Sequence, residues 1–431
     1  MSTAPLAVSN QLRSPDTGRF SDRILSLDAV RGFTILAMIF VNDVSAVTNV
    51  PDWMKHFKPV LGDGMTFVDV VFPAFLFIVG MSIPMAFSKR LESQSIPKLL
   101  GHIFIRAFAL ILLGMLRVRH PSNDEIGWYP GTWLIAMYCA VFMVWHHVRY
   151  KSTRAKHLGL AIRLIGAVML IYLMVIFRRD GAYIQPYWGG ILALIGYAYL
   201  ISALFYLMVR NNRLMLLAGV VILYCVYILF RTRGVPWDIT PYWNGARLFW
   251  FDYKITGETI GSQAAITLTG VLLGTLFTKD SDIRTPWKRV KFTLILAAML
   301  TFAGYLLDPL YGINKPTATL TWCLYCSAIT ATLWAAMYIL IDIYHIKKWS
   351  VIFSPAGSNP LFAYLLAPFI GSFIIIIDTF TEQHWQTLIS LTALNSMDPM
   401  PYIGIAKSII FAFFIVGITG LSARIGFRLK L

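Results

Sequence analysis

Along most of this chain the apolar residues neither alternate nor keep to one helical face; they run on in unbroken stretches separated by short polar breaks. Runs long enough to cross about 30 Å of hydrocarbon as helices recur from end to end. They fall near Ala29–Val47, Phe67–Phe87, Ile103–Val118, Thr132–Val148, Leu158–Phe177, Gly189–Val209, Leu214–Phe230, Ile260–Phe277, Phe292–Leu307, Thr319–Ile341, Leu361–Asp378 and Ile403–Ala423. The pattern predicts an all-α fold, a polytopic membrane bundle of about 11–12 transmembrane helices. Neither a fixed-period repeat nor a Gly, Ser or Pro-rich linker divides it, so residues 23–431 are expected to form a single transmembrane domain behind a flexible cytoplasmic segment, residues 1–22.

Composition agrees: 57% of residues are hydrophobic and only 13% charged, which excludes an ordinary soluble domain. The formal charge of +16 changes the picture less than its size implies, because Lys and Arg are scattered through short loops. They form no basic domain with interleaved aromatics, so nucleic acid is not an expected partner. Their distribution reports topology instead. With a cytoplasmic N-terminus, the inside segments RSPDTGRFSDR, SKRLESQSIPK, HHVRYKSTRAKH, RNNR, KDSDIRTPWKRVK, HIKKWS and the tail RIGFRLK carry roughly twice the Lys and Arg of the opposite loops. That orientation returns the C-terminus to the cytoplasm and puts His56 outside. Of the four cysteines, Cys323 and Cys326 form a CxxC within an apolar run, a setting for buried thiols rather than a redox motif.

The polar residues left in or beside the spans are the candidates for chemistry, since ionisable groups at membrane depth usually mark a pathway or a site. Asp28 and Arg31 stand three apart at the start of the first span, where they can pair, snorkel to the interface or meet the phosphates of a ligand. Asn42, near the far end of that span, offers an amide for a helix contact or for a developing oxyanion. His56 lies in the following loop and has the side chain suited to a general base near neutral pH; a loop histidine at headgroup level is the plain alternative. Asp69 opens the second span ahead of VVFP, a place for a helix cap as well as for substrate contact. Further on, Glu258 opens a span, Asn314 and Lys315 stand in GINKPTATLTW, and Asn359 in GSNPLFAYLL. Trp237, Asp238, Trp243, Asn244, Arg247 and Trp250 crowd one long loop, where the rings suit either an interfacial belt or a sugar pocket. HExxH, Walker and GxSxG patterns are absent, so metal, nucleotide triphosphate and serine-hydrolase chemistry have no motif behind them.

The series RILSLDAVRGFTILAMIFVND, WMKH, GMTFVDVVFPAFLFIVGMSIP, GINKPTATLTW and GSNPLFAYLL resembles the heparan-α-glucosaminide N-acetyltransferase family of multipass membrane acyltransferases. The resemblance implies transfer of an acetyl group from cytoplasmic acetyl-CoA, as co-substrate, to an amino sugar or related glycan across the membrane. It implies a catalytic role for His56 with Asn42. His56 matches the family's histidine across a gap, since KPVLGDG adds residues before the second span; Asn42 stands at the family's FVN asparagine. The expected site is then completed by Asp28, Arg31, Asn314 and Lys315 on the cofactor, and by Asp69, Trp243, Glu258 and Asn359 on the acceptor, with no metal. The luminal extension of the animal enzyme has no counterpart in this sequence, so the chain resembles a minimal bacterial form placed in the inner membrane among lipid, with a homodimer as the implied assembly. A transporter or flippase for a small solute or glycan is the rival reading, because intramembrane charges also suit passage.

Overall fold

The structure is a computed structural model and describes residues 24–47, 49–57, 62–118, 121–129, 131–148, 152–184, 190–231, 256–381 and 401–431. Trp237, Asp238, Trp243, Asn244, Arg247 and Trp250, like residues 1–22, lie outside the described residues. Twelve apolar helices organise the rest. They are α1 (Leu25–Val44), α2 (Phe67–Leu91), α3 (Ile96–Val118), α4 (Thr132–Trp145), α5 (Thr153–Ile176), α6 (Ile191–Val209) and α7 (Arg213–Arg231). The chain continues through α8 (Ala264–Gly274, entered by a π-helical segment Thr256–Gln263), α9 (Pro286–Tyr311), α10 (Leu320–Tyr338), α11 (Pro360–Thr381) and α12 (Pro401–Arg424). Ten of the apolar helices among the described residues are long enough to span a bilayer, and Thr132–Trp145 and Arg213–Leu229 are shorter apolar helices. The protein is an integral multipass membrane protein built as a helical bundle.

Each predicted span matches one helix, and the ends differ for local reasons. α2 runs past its predicted end through Lys89 and Arg90, basic residues suited to a helix C-terminus. Pro286 starts α9 early, where a missing N–H costs nothing. Successive helices alternate direction, so the bundle has two ends. One holds the start of α1, the end of α2 and the C-terminus; there β1 (His146–His147) pairs antiparallel with β2 (Arg428–Leu429). The other holds His56, the start of α2 and the turn between α9 and α10.

The core sits around α8. Its span is 89% buried, whereas that of α5 is only 22% buried and turns Leu158, Ile165, Val168, Ile171 and Val175 outward, as a lipid-facing helix must. Glycines let α2 and α8 touch backbone to backbone: a Cβ on Gly80 would run into the Thr267 carbonyl, and one on Gly270 into that of Phe77. Without a hydrophobic force between helices in lipid, such close packing is a main source of association. It holds the α2 start, and with it Asp69, in a fixed place. Cys323 and Cys326 are both fully buried on α10.

Candidate functional site

The site is built from two turns that meet at one end of the bundle. Before α2, Thr66 is the N-cap and Asp69 the third helical residue, a capping-box arrangement in which the Thr66 backbone N–H donates to Asp69 Oδ2 at 3.0 Å. The same oxygen accepts the Phe57 backbone N–H at 3.1 Å. Oδ1 is left for His56, whose Nδ1 lies 2.8 Å away. Asp69 thus caps its helix with one oxygen and holds the imidazole with the other.

The second turn, between α9 and α10, supplies the cation. Asn314 organises it: its side-chain oxygen accepts the Thr317 backbone N–H at 3.0 Å and the Thr317 hydroxyl at 2.9 Å. Its amide donates to the Gly62 carbonyl at 2.8 Å, tying this turn to the loop before α2. Asp63 adds a second tie by accepting the Ile313 N–H at 2.7 Å, and the Gly64 N–H donates to the Ile313 carbonyl at 2.8 Å. Ala318 takes the left-handed region at φ 46°, a sparsely populated conformation for a residue with a Cβ and one found at constrained sites. The result places Lys315 Nζ 2.8 Å from His56 Nδ1 and 3.3 Å from Asp69 Oδ1.

His56, Asp69 and Lys315 therefore form one cluster. Asp69 is fully buried, the Lys315 side chain is 25% exposed and that of His56 42%, so the imidazole is the member open to a substrate. Nδ1 can serve one neighbour at a time, donating its hydrogen to Asp69 or accepting one from Lys315 with its lone pair. Donation to the ionised carboxylate is the charge-assisted bond, and it leaves Nε2 with the lone pair a general base needs. Lys315 then pairs with the same carboxylate. Burial holds its ammonium below the ordinary lysine value, while the Asp69 carboxylate pulls the other way.

The remaining predicted site residues are distributed between the two ends. Asn42 is at the His56 end of α1 with an exposed side chain; among the described residues no hydrogen bond joins it to the cluster. Its neighbour Asp43 faces the other way and accepts the Ser408 hydroxyl of α12 at 2.7 Å. Glu258 lies in the π-helical entrance to α8, a kind of distortion frequent at functional sites, and its carbonyl accepts the Ser262 hydroxyl. Asp28 and Arg31 form an ion pair at 3.1 Å, and Arg31 also donates to the Ser82 hydroxyl of α2 at 2.6 Å. They lie about 20 Å down α1 from Asn42, at a rise of about 1.5 Å per residue. Asn359 shares their end of the bundle. Buried there, it accepts the Leu429 N–H at 3.1 Å and so anchors β2. Of the four residues expected on the cofactor, Lys315 and Asn314 thus belong to the His56 end and Asp28 and Arg31 to the other. Asp63 and Thr66 escaped the sequence reading, although the glycines of LGDGM and YGINK mark the turns that use them.

Residues 23–256, which include α1, α2 and His56, match a family described as a domain of unknown function, DUF5009. Heparan-alpha-glucosaminide N-acetyltransferase of Mus musculus is 38% identical over 106 residues, 24% of this chain and 15% of that protein. The Homo sapiens protein of that name is 30% identical over 162 residues, 37% of this chain and 21% of that protein. The match thus spans less than a quarter of either relative's length. On these matches the chain belongs to the DUF5009 family and is related to the heparan-alpha-glucosaminide N-acetyltransferases.

Proposed function

We propose that this protein is a membrane-embedded acetyltransferase that moves an acetyl group from cytoplasmic acetyl-CoA to an amino sugar or related glycan on the outer side, with both termini in the cytoplasm. The observation that supports this reading most is the cluster of His56, Asp69 and Lys315, in which a half-exposed imidazole is oriented by a buried carboxylate. In this reading His56 Nε2 takes the proton of the acceptor amine as its nitrogen attacks the thioester carbonyl. The carbonyl oxygen becomes an oxyanion, which the Asn42 amide or the Lys315 ammonium stabilises. Collapse breaks the C–S bond, and the departing thiolate takes up the proton held by His56. The imidazole is thereby neutral again.

Arg31, held by Asp28 and Ser82 at the other end, suits the phosphates of CoA, because a guanidinium matches phosphate oxygens in bidentate fashion. The two ends of the bundle then divide the labour: one grips the carrier's anionic head and the other performs transfer. The predicted place of the protein is a bacterial inner membrane.

The test is purified protein in nanodiscs with acetyl-CoA and glucosamine, following free CoA and acetylated product in the wild type, His56→Ala and Asn42→Ala. Product is expected in the wild type and only background in His56→Ala. Asn42→Ala is expected to lose about a hundredfold in turnover, the scale of one oxyanion donor, with little change in CoA affinity. A His56→Ala protein as active as the wild type would end the base assignment. Binding of acetyl-CoA without product would keep the reaction class and remove glucosamine as acceptor.

A further inference from the structure

Arg117 lies in the last turn of α3, a helix other than those that build the cluster. Its guanidinium donates to the Tyr364 hydroxyl of α11 and lies over that ring, 4.3 Å from its centroid. Tyr138 of α4 lines the same cavity as this group. Both companions are phenols, neutral at physiological pH. Among the described residues no carboxylate pairs with Arg117, whereas Arg31 and Arg213 have Asp28 and Asp282. A guanidinium cannot shed its charge, and beside an apolar wall an unbalanced one is costly.

One side of this group is open. Arg117, Tyr138 and Ser372 line a cavity of about 380 Å³ whose remaining wall is apolar, with Leu134, Gly371 and Ile375. Among the described residues, a Cβ added to Gly371 would meet nothing within 4 Å, so no described side chain closes the cavity there. Water alone balances no charge. The volume, at about 30 Å³ per water, exceeds what one or two bridging waters would need. A cation with two hydroxyls at one point and hydrocarbon around them is complementary to an anionic head on an apolar body.

We propose that this cavity binds an oxyanion of the phosphate type, carried by a membrane lipid headgroup or arriving as a free phosphate, with Arg117 as its counter-ion and the hydroxyl of Tyr138 as a second donor. The site is separate from the His56 cluster, and acetyl transfer neither supports nor overturns it.

Thermal unfolding of the purified protein separates the two sources. One arm compares nanodiscs of phosphatidylglycerol with nanodiscs of phosphatidylcholine; the other adds inorganic phosphate, against chloride at equal ionic strength, to protein in an uncharged detergent. Stabilisation by phosphatidylglycerol alone assigns a lipid headgroup, by phosphate alone a soluble anion, and by both the oxyanion chemistry itself. In Arg117→Met the response is expected to vanish, with apparent affinity at least tenfold weaker. Gly371→Leu leaves the cation in place and fills the cavity, so it is expected to lose the response as well. If the wild type responds to neither probe, or if both variants respond as it does, the proposal is overturned.

Discussion

The two ends of this bundle spend similar residues on different ends. At the His56 end, a fully buried carboxylate is shared among a helix cap, an imidazole and an ammonium, and the imidazole remains open to solvent. At the opposite end, charged and amide groups also fasten helices: Arg31 joins Asp28 to Ser82, Asp342 accepts the Ser26 N–H at 3.1 Å, and Asn359 holds the C-terminal strand. A polar group near a membrane is therefore not a site by virtue of its polarity. What distinguishes the first end is that rigid partners hold a titratable group whose reactive atom is left accessible.

The comparison is broken most severely by Asp69→Asn. The substitution keeps the shape but removes the charge that orients His56 and balances Lys315, so turnover is expected to fall about a hundredfold or more, with CoA affinity nearly unchanged. Steady-state release of CoA measures it; a few-fold effect would mean that the carboxylate is only a helix cap. Next in size is Arg31→Met at the other end. If that end grips the anionic carrier, KM for acetyl-CoA rises about tenfold while kcat holds, which is about 1.4 kcal/mol of lost binding. An unchanged KM would leave Arg31 as a purely structural partner of Asp28.

Asn359→Ala probes the fastening role directly. It leaves the Leu429 N–H without its buried partner, so about 1–3 kcal/mol of stability should be lost, seen as a lower unfolding midpoint in nanodiscs. Turnover per folded molecule should not move; a fall in kcat with stability intact would tie this end to catalysis. The smallest effect at neutral pH belongs to Lys315→Arg. Burial lowers the Lys315 value, so its positive charge, and the activity depending on it, should be lost on the alkaline side earlier than for an ordinary lysine. Arginine stays charged throughout, so the variant should lose that alkaline limb in a pH–rate profile while staying within a few-fold of wild type near neutrality. An alkaline limb identical in both proteins would assign it to another group.

Much of the fold was legible from the chain because hydrocarbon imposes a one-dimensional rule. A backbone in lipid must bond internally, so each apolar run becomes a helix and its length is visible directly. The twelve predicted spans and the helices agree for that reason, including the run through Gly257–Phe277 that proves to be the central helix. What hydropathy did not reveal is which helices are central: α5 and α8 are both apolar, and only packing against Gly80 and its neighbours puts α8 inside.

The candidate site divides in the same way. Composition and motif order determined that polar residues stand at Asp28, Arg31, Asn42, His56, Asp69, Glu258, Lys315 and Asn359, because each stands in or beside an apolar span whose pattern lipid enforces. Tertiary structure alone decided which exceptions meet. Asp69 and Lys315 are 246 positions apart in the sequence and 3.3 Å apart in space, joined because Asn314 and Asp63 lock two loops together. Asp28 and Asn42, near opposite ends of α1, stay apart because a straight helix cannot bring its ends together. Sequence determines where a charge is tolerated; the close approach of distant turns decides whether it has a partner, and hence whether it can do chemistry.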